Sequence, residues 1–576
     1  MEVVYLGRSG RRQKPAPLRE GDVIELLDNN WDDYGRRTVF ETTARIDGQE
    51  IELGSIKLLI EGSSVSAVRL SELRASGWNG EFPIANVNYI SVPAEIEFYA
   101  QLVSLLGEER ATTVARALRD ASFLVRIDRD ESAIALTASE NFKVSLQRER
   151  GAVKAYLDGW QLFANGKVAV ASTRFRFTDA SGEASTLALN FESDGPLPHD
   201  INVLIGPNGV GKSQLLRQIV RAWLGTRGPD PEPAFEEPPN ISQLVVVSYS
   251  PLEAFPVDTV ETVIADRDVY RYFGFRGRPA APSKDEDPDE VSFAKPPPPP
   301  PPVFDTRFPR IQAAGSLIDA LADDQRYGTI SDWPGKLRTM YDVLRTALDF
   351  DHLAVAVRSD GTGDGSVAPG GLATSRIGDT LHLPLREEDV AGGDVGAIRA
   401  ALLAEEGVSF IKNGVKLRLS SGQSLFSYVV INVLGAIRRN SLILVDEPEL
   451  FLHPTLEIQF IEMLKGILAS LSSKALMATH SEVVVRETPS DCVHVFQRMN
   501  DGGIRIDSPP FQTFAGDIQR ISSYVFGDRT AWKPYETWIG DQLEAYGSPD
   551  ALLAALGAEV NEELVIRIRA VAAGRA

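Results

Sequence analysis

The segment Gly206-Pro207-Asn208-Gly209-Val210-Gly211-Lys212-Ser213 constrains this chain more than any other stretch. It fits the pattern G-x-x-x-x-G-K-[ST] in full. An apolar run, Ile201–Ile205, enters it, and Gln214–Trp223 leaves it with apolar residues at helical spacing. Strand, glycine loop and helix in that order gather backbone amides at a helix N-terminus, where they face an anion. Glycines let the backbone come close to phosphate oxygens, while the lysine reaches the outer phosphates and the hydroxyl ligates Mg²⁺. The pattern predicts that residues Gly206 to Ser213, with Gln214 opening the helix, hold ATP, with Lys212 on the β- and γ-phosphates and Ser213 on the metal. A chance glycine turn would not explain the flanking strand and helix.

Three more segments complete the chemistry. Ser441–Val445 is an apolar run that ends in Asp446-Glu447. There Asp446 is expected to bind Mg²⁺, directly or through water, and Glu447 to act as general base on the attacking water. Alone, such a run is a common strand terminus; beside the glycine loop it supplies the missing metal ligand and base. Leu419-Ser420-Ser421-Gly422-Gln423 opens a helix whose apolar face includes Leu425, Val429, Val433 and Ile437. Its hydroxyls and amides are donors for anionic oxygens, although Ser-Ser-Gly is also an ordinary helix start. Finally, Ala478-Thr479-His480-Ser481 follows the strand-like run Ala475–Met477, which sets His480 at a strand end.

Read in order, these four segments resemble the Walker A, signature, Walker B and switch-histidine motifs of ABC-type ATPases. DEPELFLHP (Asp446–Pro454) and ATHSEVVVRETP (Ala478–Pro489) are similar to the AAA-family ATPases of the OLD (overcoming lysogenization defect) and SMC-like groups. The resemblance covers about residues 167–255 and 412–495. It implies an α/β fold, a P-loop NTPase of ABC-ATPase type. It also implies a homodimer or higher homo-oligomer that sandwiches ATP·Mg²⁺. Each site would combine Lys212, Ser213, Asp446, Glu447 and His480 of one copy with Ser420, Ser421, Gly422 and Gln423 of the other. His453 would lie in the D-loop at the dimer contact. Relatives of this kind serve in DNA maintenance or antiphage defence, often beside a nuclease, so a separate effector such as a nuclease is expected.

Two departures qualify the resemblance. Ser421 replaces the first glycine of the signature pair, and Ser248-Tyr249-Ser250 stands where a glutamine should sense Mg²⁺ and γ-phosphate. After His480 no DxD occurs, and Asp517, Asp528 and Asp541 are scattered, which argues against a fused Toprim nuclease. The alternative functions are an ATP-binding subunit of a membrane transporter and a low-turnover ATP-binding scaffold. The long insert and the missing glutamine argue against the first, and Glu447 against the second.

At about 100–200 residues per domain, 576 residues imply three or four units. Residues 1–166 read as an N-terminal α+β accessory domain, with strands at Val23–Leu27, Thr38–Arg45 and Ile51–Leu59 and helices at Ala94–Leu106 and Glu109–Ala121. Asp128 and Asp130 read as a charged turn rather than a metal site. Residues 167–255 form the first ATPase lobe, and 256–410 a helical insert with helices at Ile311–Asp324 and Lys336–Leu348. That insert carries a Pro-rich segment, 276–302, with an acidic cluster and the run Pro296–Pro302, expected to be a disordered spacer. Its loop from Gly361 to Gly371 is glycine-rich without the lysine. Residues 411–500 hold the remaining ATPase motifs, and 501–576 a C-terminal helical segment.

The formal charge of −21 argues against coating nucleic acid as the primary task, because that binding is driven by basic side chains releasing counterions. A local nucleic-acid surface stays open: Lys412, Lys416, Arg418, Arg438 and Arg439 flank the signature helix, with a solvated helix face as the plainer reading. Apolar runs are too short and interrupted to span a membrane. With no apolar leader core and a single cysteine, Cys492, the expected location is cytoplasmic.

Overall fold

The computed structural model describes residues 1–8, 21–28, 37–63, 65–146, 149–164, 168–226, 233–237, 239–252, 254–260, 262, 268–279, 299–330, 332–358, 373–386, 393–450, 452, 454–499, 502–526 and 534–574. The chain is mixed α/β and divides into two compact units, Met1–Ala515 and Gly516–Ala576. No helix among the described residues is long and apolar enough to cross a membrane.

A seven-stranded sheet organises the larger unit. Its strands lie in the order Tyr270–Gly274, Gln243–Ser248, Ser441–Asp446, Lys474–Thr479, Ile201–Ile205, Val493–Arg498 and Ile504–Asp507. Every pairing is parallel except the last. Strands such as Leu442–Val445 and Val203–Ile205 are buried throughout, which fits their unbroken apolar sequence, since parallel strands are covered on both faces. The register aligns Ser248 with Asp446 and Asp446 with Ala478, while Thr479 pairs with Ile205. The carboxyl ends of four strands therefore lie side by side, the edge where open α/β sheets hold ligands.

The helix Lys212–Leu224 packs on this sheet through Leu215, Leu216, Ile219, Val220 and Trp223, all buried. The antiparallel hairpin Thr173–Thr178 and Ala184–Leu189 lies against the same core.

Residues from Val3 to Val168 build a hydrophobic core of their own around a second, six-stranded sheet. Its strands Val23–Asp28, Val39–Ile46 and Gln49–Ile60 lie where alternation of apolar residues predicts them, shifted by one or two residues at the ends. The two expected helices form one span, Glu97–Ala117, broken at Gly107 by a positive φ of 74°.

Three expectations about organisation need correction. The region 256–410 is more than a helical insert. Its helices Phe308–Tyr327 and Lys336–Ala347 accompany strands His352–Val357, Ser375–Ile377 and Thr380–Pro384, which join Val408–Lys412 and Val415–Lys416 in a five-stranded antiparallel sheet. Tyr270–Gly274, also from that region, is an edge strand of the main sheet. A run such as HLAVAV has no period that separates strand from helix, so sequence pattern left it unassigned.

The segment 276–302 is ordered at its ends. Arg276–Gly277 pairs with Val303–Phe304, and Arg278 bonds the Pro300 carbonyl at 2.7 Å and Asp258 at 2.7 Å. The acidic cluster and Pro296–Pro298 lie outside the described residues, as do residues 361–371 and His453. At the C-terminus, Ile504–Asp507 completes the main sheet, so the helical unit starts at Gly516 rather than 501. That unit packs its helices about Ile539, Leu552 and Ile568.

Candidate active site

The strand Ile201–Ile205 delivers the glycine loop to the carboxyl edge of the sheet. A Cβ on Gly206 would lie 2.4 Å from the Phe496 carbonyl oxygen, so only glycine lets the neighbouring strand come so close. Gly211 takes φ +98° and precedes the helix Lys212–Leu224, whose N-terminus has no side-chain cap. Its first amides thus keep their hydrogen-bonding capacity, and the helix dipole adds positive potential at that end.

Lys212 is buried and curls back over the loop. Its Nζ donates to the carbonyls of Gly206 at 2.9 Å and Pro207 at 3.2 Å, and lies 3.0 Å from Nε2 of His480. Burial pulls Lys212 down to about 8 from an ordinary 10.5, although Glu447, Glu449 and Asp446 pull the other way. Burial and the Lys212 charge hold His480 at about 4. At neutral pH the imidazole is therefore uncharged and Nε2 accepts from the ammonium. For the same reason the 3.9 Å approach of His480 to Glu447 is not an ion pair at that pH.

Ser213 donates its hydroxyl to Oδ1 of Asp446 at 2.8 Å, and Asp446 is fully buried. Ser248 donates to the other oxygen, Oδ2, at 3.4 Å. The Ser213 hydroxyl and the Asp446 carboxylate are both hard oxygen donors, the set that suits Mg²⁺, and they come from the first turn of one helix and the end of one strand. Glu447 turns the chain at φ +49°, in the left-handed region, with its amide on the Ala478 carbonyl at 2.8 Å. A non-glycine residue in that conformation is a local strain of the sort found at functional sites.

A cleft of about 770 Å³ opens here, lined in part by Ala180, Asn208, Gly209, Gly211, Gln214, Arg217, Ser250, Leu252, Glu449 and Leu450. Lys212, Ser213, Glu447 and His480, from three separate parts of the chain, share it, and Asp446 lies just beneath through Ser213. Pro207 contributes its carbonyl, and Val210 is buried in the core behind the loop. The segment Ser420–Gln423 is not part of this lining. It starts the helix Ser421–Ala436, where Ser420 and Gln423 form a reciprocal capping box at 3.2 and 3.0 Å. Ser420 and Ser421 are exposed.

Of the hydroxyls at the missing glutamine, Ser248 is buried on Asp446, Tyr249 is buried and accepts from Asn432 at 3.3 Å, and Ser250 faces the cleft. Sequence reasoning missed Glu449, which stands two residues beyond Glu447, and Ala180, which the hairpin turn hangs over Gly211. The first carried a signal in DEPE; the second had none, because an alanine in a distant turn names no chemistry.

The basic residues around the signature helix do not form one surface. Arg438 pairs with Glu95 at 3.0 Å and with Asp268 at 3.3 Å, and buried Arg439 pairs with Asp332 at 2.6 Å. Lys412 bonds Asp349, which leaves Lys416 and Arg418 exposed. Two of the five cations are thus paired with acids of the N-terminal region and the insert, just beyond the helix Ser421–Ala436.

No family model matches the chain. Protein ea59 of Escherichia phage lambda is 28% identical over 147 residues, which is 26% of this chain. The match covers 28% of the length of that phage protein.

Proposed function

We propose that this chain hydrolyses ATP with Mg²⁺ at the cleft, as an ABC-type ATPase resembling the OLD and SMC-like group. The observation that carries this reading is the meeting of Lys212, Ser213, Asp446, Glu447 and His480 at one sheet edge beside an uncapped helix N-terminus. Ser213 and Asp446 would hold Mg²⁺, which when bound offsets charge on the phosphate oxygens. Lys212 exchanges its contacts with the Gly206 and Pro207 carbonyls for the outer phosphates. Glu447 takes the proton of the attacking water, and His480, uncharged, hydrogen-bonds at the γ-phosphate. Such a site acts mainly by positioning and charge stabilisation.

The exposed start of the Ser421–Ala436 helix supports completion of the site by a second copy. In this reading two chains close on two nucleotides, and hydrolysis reopens them. The cycle would control a separate effector, with a nuclease acting in antiphage defence as the class proposed and nucleic acid as the trigger. The test is Glu447→Gln: ATP binding persists, turnover falls at least about 10²-fold, and light scattering shows the mass double with Mg²⁺-ATP. Unchanged turnover would remove Glu447 from its role, and a mass indifferent to ATP would remove the nucleotide-gated dimer.

A further inference from the structure

The turn after Asp446-Glu447 holds a further carboxylate, Glu449, to which the ATPase reading gives no role. Glu449 lines the cleft, yet both its oxygens are engaged on Thr479, the last residue of the strand Lys474–Thr479, and on His480 just beyond it. Oε1 accepts the backbone N–H of His480 itself at 2.5 Å, and Oε2 accepts the Thr479 hydroxyl at 2.8 Å. The Glu447 amide adds a third tie, to the Ala478 carbonyl at 2.8 Å. On the far side of His480, Ser481 donates to the buried Glu457 at 2.6 Å. Glu449 thus holds the His480 backbone directly, Glu457 holds the side chain of the next residue, and the His480 ring faces Lys212.

We propose that Glu449 is the positioning residue for His480, locking the turn that carries the general base to the strand end that carries the histidine. A single carboxylate gripping consecutive residues, Thr479 and His480, fixes both the height and the rotation of the strand end. Any shift of the Glu447 turn then moves His480 with it, so base and histidine reach the phosphate together. Burial pushes the Glu449 carboxyl above its ordinary value, against the hydrogen bonds from His480 and Thr479. This rests on the ATPase reading above.

The experiment compares steady-state ATP hydrolysis by wild type, Glu449→Ala, Glu449→Gln, His480→Ala and the double variant Glu449→Ala/His480→Ala, with fluorescent-ATP binding measured on each. Misplacing a reacting group by about an ångström lowers rate on the order of 10²-fold, so Glu449→Ala should lose about that much in kcat with KM within roughly threefold. Glu449→Gln keeps an acceptor for the His480 amide and should recover to within about tenfold of wild type. In the His480→Ala background, removing Glu449 should cost less than about threefold further, because the two act as a unit.

Full kcat in Glu449→Ala overturns the proposal, as does a loss that multiplies undiminished onto His480→Ala. A raised KM with unchanged kcat overturns it too. Should Glu449→Ala not fold, Glu449→Gln and Thr479→Val carry the test: the first must stay near wild type and the second must lose part of kcat. A wild-type chain that neither binds nor hydrolyses ATP would sink the ATPase reading itself, whereas an active wild type with indifferent Glu449 variants sinks only the role of Glu449.

Discussion

Replacing Lys212 by methionine should stabilise the nucleotide-free protein while it abolishes ATP binding. The lysine is buried, and that burial draws it from 10.5 to about 8. Between those values the unfolded chain holds a proton that the folded one does not, so stability rises with pH there; below 8 the charged form persists in both states and the full penalty applies. The shift corresponds to roughly 3 kcal/mol. Methionine removes that penalty but leaves the Gly206 and Pro207 carbonyls without the ammonium donor, which costs about 1–2 kcal/mol.

Lys212→Met should therefore be more stable than wild type by ~1–2 kcal/mol near pH 7.5. The advantage should shrink by about 2 kcal/mol near pH 9.5, where the folded wild-type lysine has already lost its proton. Urea unfolding followed by tryptophan fluorescence reads this, since Trp223 is buried in the helix that Lys212 begins. ATP should stabilise wild type by mass action and leave Lys212→Met unmoved. If the variant is less stable at pH 7.5 and the difference does not change with pH, the argument from burial is wrong.

Two carboxylates give pH-dependent expectations. Burial opposes ionisation of Glu95, but the Arg438 and Arg326 guanidiniums hold it down at about 2, so its contribution is present above 4.5 and is lost as pH falls toward 2. Arg438→Ala should lower the unfolding free energy by about 3 kcal/mol at neutral pH, and acid should narrow the gap to wild type; an unchanged melting curve would mean the pair is not structural. Burial pushes Asp120 up to about 7, although the Phe123 amide and the Tyr99 hydroxyl donate to it. The folded state then holds a proton that the unfolded one lacks between 3.8 and 7, and stability falls as pH rises through that window. Asp120→Asn keeps an acceptor for Phe123 and should flatten that fall, about 3 kcal/mol between roughly pH 5 and pH 8, in a series of thermal melts. A slope the same in both proteins would assign the titration elsewhere.

The parts of this molecule legible in the sequence are those dictated by local chemistry. Ile201–Ile205 is a strand because it is an unbroken apolar run before a glycine, and Lys212–Leu224 is a helix because Leu215, Leu216, Ile219 and Trp223 fall on one face. The candidate ligands of phosphate and metal could be named for the same reason, since Lys212, Ser213 and Asp446 each carry their chemistry in the side chain. The strands of the insert were not legible, because short apolar runs lack a distinguishing period. The fate of Arg438 and Arg439 was also hidden, because whether a cation faces solvent depends on the acids brought to it: Glu95 comes from the distant N-terminal region and Asp332 from the insert.

By itself, then, the sequence determined which residues are candidates to hold a triphosphate and a cation, and the order in which they occur. Only the tertiary structure decided that Ser248, Asp446 and Ala478 stand in register, that Lys212 rests on an uncharged His480, and that Glu449 grips that histidine's backbone. The division has a physical cause. A side chain's donors and acceptors are fixed by its residue type, whereas its protonation state and its partners depend on burial and on strands that meet only when the sheet forms.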